Sequence, residues 1–310
     1  MTNMKSPRIA YGEALVELGQ KNERIVVLDA DLAHATQTAL FGGRFKDRFF
    51  NMGIAEQNMM GVAAGLSLSG FIPFASTFAM FGAGRAFEQI RNTICYPNLN
   101  VKIAVTHAGV TVGEDGASHQ AIEDISLMRS VPNMTVIVPC DAIETKKAVI
   151  AAADVEGPVY IRIARPVAPI ITEESCDFEI GKAEVLKQGK DLSIFATGLM
   201  VAKALEAASI LADKGIDVTV VNVHTIKPLD EEIVLKEAVK TGKVITVEEH
   251  TIIGGLGSAM AEVLVGKERV KMKRIGLNDT FGQSGNPESL LEYYGLTKEN
   301  IIKTAEEMVK

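Results

Sequence analysis

Short runs rich in β-branched and other apolar residues alternate with helix-length segments along the whole chain, and this rhythm limits the fold more than any other feature of the sequence. In the first half the runs fall at residues 25–28, 71–76, 101–106, 134–138 and 158–164. Parallel strands joined by crossover helices give such a spacing, so the expected class is α/β, a mostly parallel sheet flanked by helices. Past Arg165 and Pro166 the pattern fades through Pro169 and the acidic pair Glu173 and Glu174, which marks a connection. A second alternation follows, with strands at 192–196, 218–223, 244–247 and 270–275 and helices at 199–214 and from Gly257. The chain is therefore expected to hold two domains of the same class, at 1–170 and 191–310, with a linker at 171–190. No segment repeats at a fixed period and none is of low complexity, which excludes solenoid and disordered architectures.

The 310 residues, 47% hydrophobic, suffice for a large core. The formal charge of -7 is spread without acidic or basic blocks, so no nucleic-acid footprint is present and an anionic substrate has to be met locally. Cys95, Cys140 and Cys176 stand apart, in no disulfide or metal-ligand spacing. Residues 1–5 lack the apolar core of a secretion signal, and the expected location is cytoplasmic. Residues 57–84 carry no charge and are long enough to span a bilayer as one helix, but Gly70 and Pro73 break the run and Ser67, Ser69, Ser76 and Thr77 dilute it. A buried helix, turn and strand explain it better than a membrane span.

Several residues stand out against this background. Glu56, in Asn51-Met52-Gly53-Ile54-Ala55-Glu56-Gln57, opens a segment of glycine and apolar residues. A carboxylate loses hydration there and needs a partner, which makes it a site candidate; a first-turn glutamate favoured by the helix dipole is the ordinary alternative. Gly61, Ala64, Gly65 and Ser69 would let that helix approach another backbone, in a subunit interface or a tight core. Thr106-His107-Ala108-Gly109 leaves a predicted strand end, and Gly113-Glu114-Asp115-Gly116-Ala117-Ser118-His119-Gln120 follows in a loop. Ligands of open α/β sheets gather at such strand ends. His107, Asp115 and His119 offer hydrogen bonds and proton exchange to a polyhydroxylated substrate, or are a strand-end histidine and a helix-start histidine with no further role. No His or Cys falls at ligand spacing beside them, so no metal is expected on this chain alone. Of Arg162 and Arg165, which alternate with apolar residues, one would reach the strand end to hold a phosphate, or both form a solvated edge. Gly254-Gly255-Leu256-Gly257-Ser258 lacks the third glycine of a dinucleotide loop and is better read as helix packing.

Together these segments resemble the C-terminal two-thirds of transketolase, from about Arg8 to the end of the chain. Gly53-Ile54-Ala55-Glu56-Gln57 is similar to the family segment whose glutamate binds the aminopyrimidine of thiamine diphosphate. Thr106-His107 and Gly113 to Gln120 resemble its substrate channel. By the same likeness Phe78 and Phe81 hold the pyrimidine, Asp31 lies near the cofactor, Arg165 binds the substrate phosphate and Arg8 is a second phosphate contact. The chain departs from the family in three places: Gln57 replaces a histidine, Gly82-Ala83-Gly84 replaces a third aromatic, and a phosphate-binding serine is replaced near Ala35 and Thr36.

The largest departure is the absence of Gly-Asp-Gly followed by Asn-Asn, the family signature that holds the diphosphate through Mg²⁺. The resemblance therefore implies a split enzyme. An N-terminal transketolase subunit would carry the diphosphate with Mg²⁺ or Ca²⁺, and two chains of each kind would self-associate as α2β2. Its implied reaction is two-carbon ketol transfer between sugar phosphates, as in pentose phosphate metabolism, with Glu56 as trigger and His107, Asp115 and His119 orienting hydroxyls and moving protons. The rivals are the β subunit of a 2-oxoacid dehydrogenase, a 1-deoxyxylulose-5-phosphate synthase-like enzyme, and a non-catalytic regulatory subunit.

Overall fold

The computed structural model describes residues 3–266 and 270–310 and contains two α/β domains. The first is built on a seven-stranded sheet. In spatial order its strands are Thr225–Lys227, Thr135–Ile137, Val159–Arg162, Lys102–Val105, Ile72–Ser76, Ile25–Asp29 and Phe49–Asn51. All pairings are parallel except that of Thr225–Lys227, which comes from the second half of the chain and closes one edge antiparallel. The second sheet has the order Lys271–Leu277, Lys243–Thr251, Leu192–Ala196, Val218–Asn222 and Glu184–Lys187, with only the last strand antiparallel. Glu184–Lys187 falls within the stretch read as linker from sequence, and its half-buried, charge-interrupted pattern explains why it did not read as a strand.

Side chains of a strand alternate between faces, and Ile25–Asp29 does so inside a fully buried sheet. Ile25 and Val27 pack with Tyr11, Leu15, Phe41 and Val149 on one side. Val26 and Leu28 pack with Met59, Met60 and Ala63 on the other. That second cluster runs on into Phe195, Val221, Leu256 and Met260 of the second domain, so the two domains share apolar core.

The uncharged stretch forms the helix Glu56–Leu68, a turn, and the strand Ile72–Ser76. Gly70, with φ of 90°, ends the helix in a left-handed turn, and the Phe71 N–H donates back to the Leu66 carbonyl at 3.1 Å. Pro73 is tolerated in a central strand because pairing with Lys102–Val105 begins only at Phe74. Among the described residues, no helix is long and apolar enough to cross a membrane.

Arg162 fastens the two domains. Its Nε donates to Asp124 Oδ1 and Oδ2 at 3.1 and 2.8 Å, and its Nη2 donates to the carbonyls of Ala121 and Glu249 at 3.2 and 2.9 Å. Tyr160 Oη donates to the same carboxylate at 2.7 Å. Of the two arginines singled out in the sequence, Arg162 is thus a buried structural group. Arg165 is the one that faces the loop carrying Asp115.

Candidate functional site

The first turn of helix Glu56–Leu68 places Glu56 at the wall of a cavity of about 430 Å³, lined also by Ala30, Asp31, Leu32, Ile54, Phe81, Arg85, Ser118 and His119. Glu56 is 2% exposed. Its two oxygens accept hydrogen bonds from one Arg85 Nη1, both at 3.0 Å. Arg85 itself is 49% exposed and lies over the Phe81 ring at 4.6 Å. A π-helical turn, Met80–Arg85, sets this up: the Ala86 N–H reaches back to the Phe81 carbonyl at 3.3 Å and the widened backbone carries Arg85 over the ring. Sequence reasoning did not single out Arg85, yet a signal was there. The uncharged stretch 57–84 is bounded by Glu56 and Arg85, the two charges that pair.

Two aromatics and two histidines form the next layer. Phe78 stacks on His107 with ring centroids 3.9 Å apart, and Phe78 and Phe81 stack at 6.1 Å. His119 meets Phe81 edge-on at 5.2 Å. His107 is buried with φ of 59°, and its Nδ1 lies 2.8 Å from Thr106 Oγ1. Burial, then the charges of Arg8, Arg165 and His119, push its pKa down to about 3, so the ring is a neutral hydrogen-bonding group near pH 7.

Arg8 and Arg165 are neighbours because the antiparallel pair Met4–Lys5 and Ala168–Pro169 ties the N-terminus beside the Arg165 segment. Arg8 Nε donates to the Arg165 carbonyl at 3.0 Å and its Nη1 to the Ala35 carbonyl at 2.7 Å. Arg165 Nη1 bonds the Val112 carbonyl and lies 3.3 Å from the exposed Glu114 carboxylate. Asp115 is exposed on the same loop and outside the cavity lining. Asp31, with φ of 65°, lines the cavity and accepts from Asn51 Nδ2 at 2.9 Å.

The segment presenting Asp31 is held from behind by Asp29, which sequence reasoning missed. Asp29 is buried and accepts from Leu32 N, Thr36 Oγ1 and Thr38 Oγ1 at 2.6 to 2.8 Å. Burial raises its pKa despite these bonds. At the glycine loop 254–258 the N–H groups of Leu256 and Gly257 donate to the buried Glu248 carboxylate at 2.7 and 2.8 Å.

Apart from Arg162, the residues singled out by sequence gather around one region. Glu56, Phe81, His119 and Asp31 share the cavity, Phe78 and His107 stack behind it, Arg8 and Arg165 charge His107 from its flank, and Asp115 lies on the loop that brings Ser118 and His119 to the cavity. Fold and site define a two-domain α/β protein that presents a buried carboxylate and stacked rings to an open cavity.

The chain belongs to the transketolase family. Residues 4–169 match the transketolase pyrimidine binding domain and residues 181–301 the transketolase C-terminal domain. Over 99% of its length the chain is 54% identical to a protein named for a transketolase C-terminal section from Methanocaldococcus jannaschii, covering 97% of it. Over 98% of its length it is 44% identical to the 6-deoxy-6-sulfo-D-fructose transketolase subunit SqwH of Clostridium sp. (strain MSTE9), covering 94% of it. The solved structure of a split gene transketolase, an inactive β4 tetramer, superposes with a TM-score of 0.92 at 56% identity, with 98% of each chain covered. The family uses thiamine diphosphate.

Proposed function

We propose that this chain is the pyrimidine-binding subunit of a cytoplasmic two-polypeptide transketolase that moves a two-carbon ketol unit from a ketose phosphate to an aldose phosphate. The observation that carries the reading is the Glu56 carboxylate, 2% exposed, on a cavity walled by Phe81 and His119. A flat heteroaromatic ring fits this place. Two walls are aromatic, and the carboxylate's own partner is a half-exposed arginine that can turn into solvent when a protonated ring nitrogen takes its place as donor.

Bound thiamine diphosphate would supply the carbanion chemistry that carries the two-carbon unit. Glu56 would hold a hydrogen bond at a pyrimidine ring nitrogen, Phe81 would pack against the ring with Phe78 stacked behind it at 6.1 Å, and Asp31 would border it. His107, neutral, orients a substrate hydroxyl. His119, less buried, exchanges protons there, and Asp115 binds hydroxyls from the loop edge. Arg165 grips the phosphate once Glu114, 65% exposed, yields its place. Arg8, whose Nε and Nη1 bond the Arg165 and Ala35 carbonyls, is the second phosphate contact beside Arg165.

The chain carries no Gly-Asp-Gly followed by Asn-Asn, and on that ground the diphosphate and its Mg²⁺ or Ca²⁺ are assigned to an N-terminal transketolase subunit, in an α2β2 assembly. The similar split gene protein, inactive as a β4 tetramer, supports a requirement for that second chain. The sulfosugar specificity of one relative favours a second reading of the donor, a ketose with another anionic tail, since Ala35 offers no side-chain donor to that end.

Two-carbon transfer from xylulose 5-phosphate to ribose 5-phosphate, assayed with the chain alone and co-expressed with a diphosphate-domain subunit, tests the proposal. Activity only in the co-expressed complex is expected. Equal activity without the partner defeats the split reading. No transfer from any ketose phosphate or sulfonate by a stable, cofactor-loaded complex defeats the enzyme reading.

A further inference from the structure

We infer that the second domain, which contributes no described side chain to the Glu56 cavity, sets the position of the loop bearing Asp115 and His119, and that Gln120 is the positioning residue through which it does so. The inference rests on the functional reading above and adds a task for a domain outside the cavity.

Gln120 directly follows His119 and is 2% exposed. Its Nε2 shares two N–H groups among three carbonyls: Val110 at 3.1 Å and Gly113 at 3.3 Å, within the loop, and Gln283 at 2.9 Å, in the second domain. One carboxamide thus ties the loop to itself and to the neighbouring domain. Its Oε1 is buried without a hydrogen-bond partner, and the Gly282 backbone closes over it so tightly that a β-carbon there would lie 1.7 Å away. Gly116 meets the second domain as closely, since a β-carbon on it would lie 2.5 Å from Ser284 Oγ. The start of the loop is gripped as well: the Thr111 N–H donates to Glu249 Oε1 at 2.7 Å, and a β-carbon on Gly109 would lie 2.2 Å from that oxygen.

Both ends of the loop between Gly109 and Gln120 are therefore seated on the second domain, at the segment around Gln283 and the strand end at Glu249. The side chains between them inherit their placement from that surface. A displacement of about 1 Å in a substrate-orienting group can cost up to a hundredfold in rate. Contacts this close, made by a residue outside the cavity lining, are the means of avoiding it.

The test uses Gln120→Leu, which removes the three bonds, and Gly282→Ala, which drives a methyl group against Gln120 from the other domain. In the assembled complex each variant is expected to raise KM for the sugar phosphate by roughly tenfold or more, with the KM for thiamine diphosphate unchanged. The double variant should be no worse than the more severe single one, because both act on one contact. A lowered melting temperature with the sugar KM intact, additive effects, or equal loss of sugar and cofactor affinity would overturn the inference. If the wild-type complex transfers no sugar, the functional reading fails by itself, and the His119 imidazole resonances of the free chain decide the positioning claim. A shift of these resonances in Gly282→Ala supports it; unchanged resonances overturn it.

Discussion

Glu56 and Glu248 are both buried carboxylates at helix N-termini, 2% and 0% exposed, but their partners differ in kind. Glu248 accepts from the backbone N–H groups of Leu256 and Gly257, which cannot leave without unwinding a helix. Gly255 closes over it, since a β-carbon there would lie 2.0 Å from Oε2. Glu56 borders a cavity of about 430 Å³ and is paired with a side chain that is half in water. Burial of an acid therefore does not mark a site in this molecule. Space beside the acid, and a half-exposed partner, set the proposed site apart.

The largest expected effect tests the Glu56 side of this contrast. Glu56→Ala should leave the chain folded and lower activity of the assembled complex by about a hundredfold or more, the scale of a lost proton-handling group. Thiamine diphosphate affinity should fall with it. Retained turnover with normal cofactor affinity would remove Glu56 from the site and erase the distinction.

Glu248→Ala should do the converse. Two helix N–H groups would lose their acceptor in a buried place, at about 1–3 kcal/mol each. The melting temperature should drop by several degrees while activity per folded complex stays near wild type. A smaller loss is expected for Arg85→Met, about 1–3 kcal/mol in the free chain, because one buried carboxylate loses its donor while the arginine side of the pair is half exposed and screened by solvent. That loss should shrink when the complex is loaded with thiamine diphosphate, since the cofactor then satisfies Glu56. Equal destabilisation of free and loaded protein would show that Arg85 is not displaced.

The same contrast explains how much was legible in the sequence. Strands such as Ile25–Asp29 and Leu192–Ala196 are apolar on both faces and announce themselves by composition. The edge strands Thr225–Lys227 and Glu184–Lys187 did not, because an antiparallel edge carries mixed residues and owes its place to a neighbour distant in sequence. At the site, Glu56, His107 and His119 were visible as polar groups in apolar or glycine-rich surroundings. Arg85 and Asp29 were not. An arginine at the end of an apolar run and an aspartate at a strand end are common, and only the fold brings the first to 3.0 Å from Glu56 and closes three hydrogen bonds around the second. Gln120 stood inside a recognised motif, but its contact with Gln283 depends on how the two domains dock.

The smallest expected effect is a pH dependence carried by Glu248. Burial, partly offset by its two backbone bonds, pushes the Glu248 carboxyl up to about 7 from an ordinary value of 4.5. A group whose pKa is raised on folding contributes stability that is full below its unfolded pKa and lost as pH rises through the folded one. The advantage of wild type over Glu248→Gln should therefore be greatest near pH 4.5 and shrink as pH rises through about 7. His250, which faces the same carboxylate at 3.7 Å, works in the opposite sense, because burial pushes it down to about 4 from 6.5. Its contribution is full above pH 6.5 and is lost as pH falls towards 4. Thermal melts of wild type, Glu248→Gln and a His250 variant between pH 5 and pH 8 separate the two, since the first difference must narrow with rising pH and the second must widen. A wild-type minus Glu248→Gln difference that is flat across this range would mean that the Leu256 and Gly257 N–H groups hold Glu248 ionised throughout.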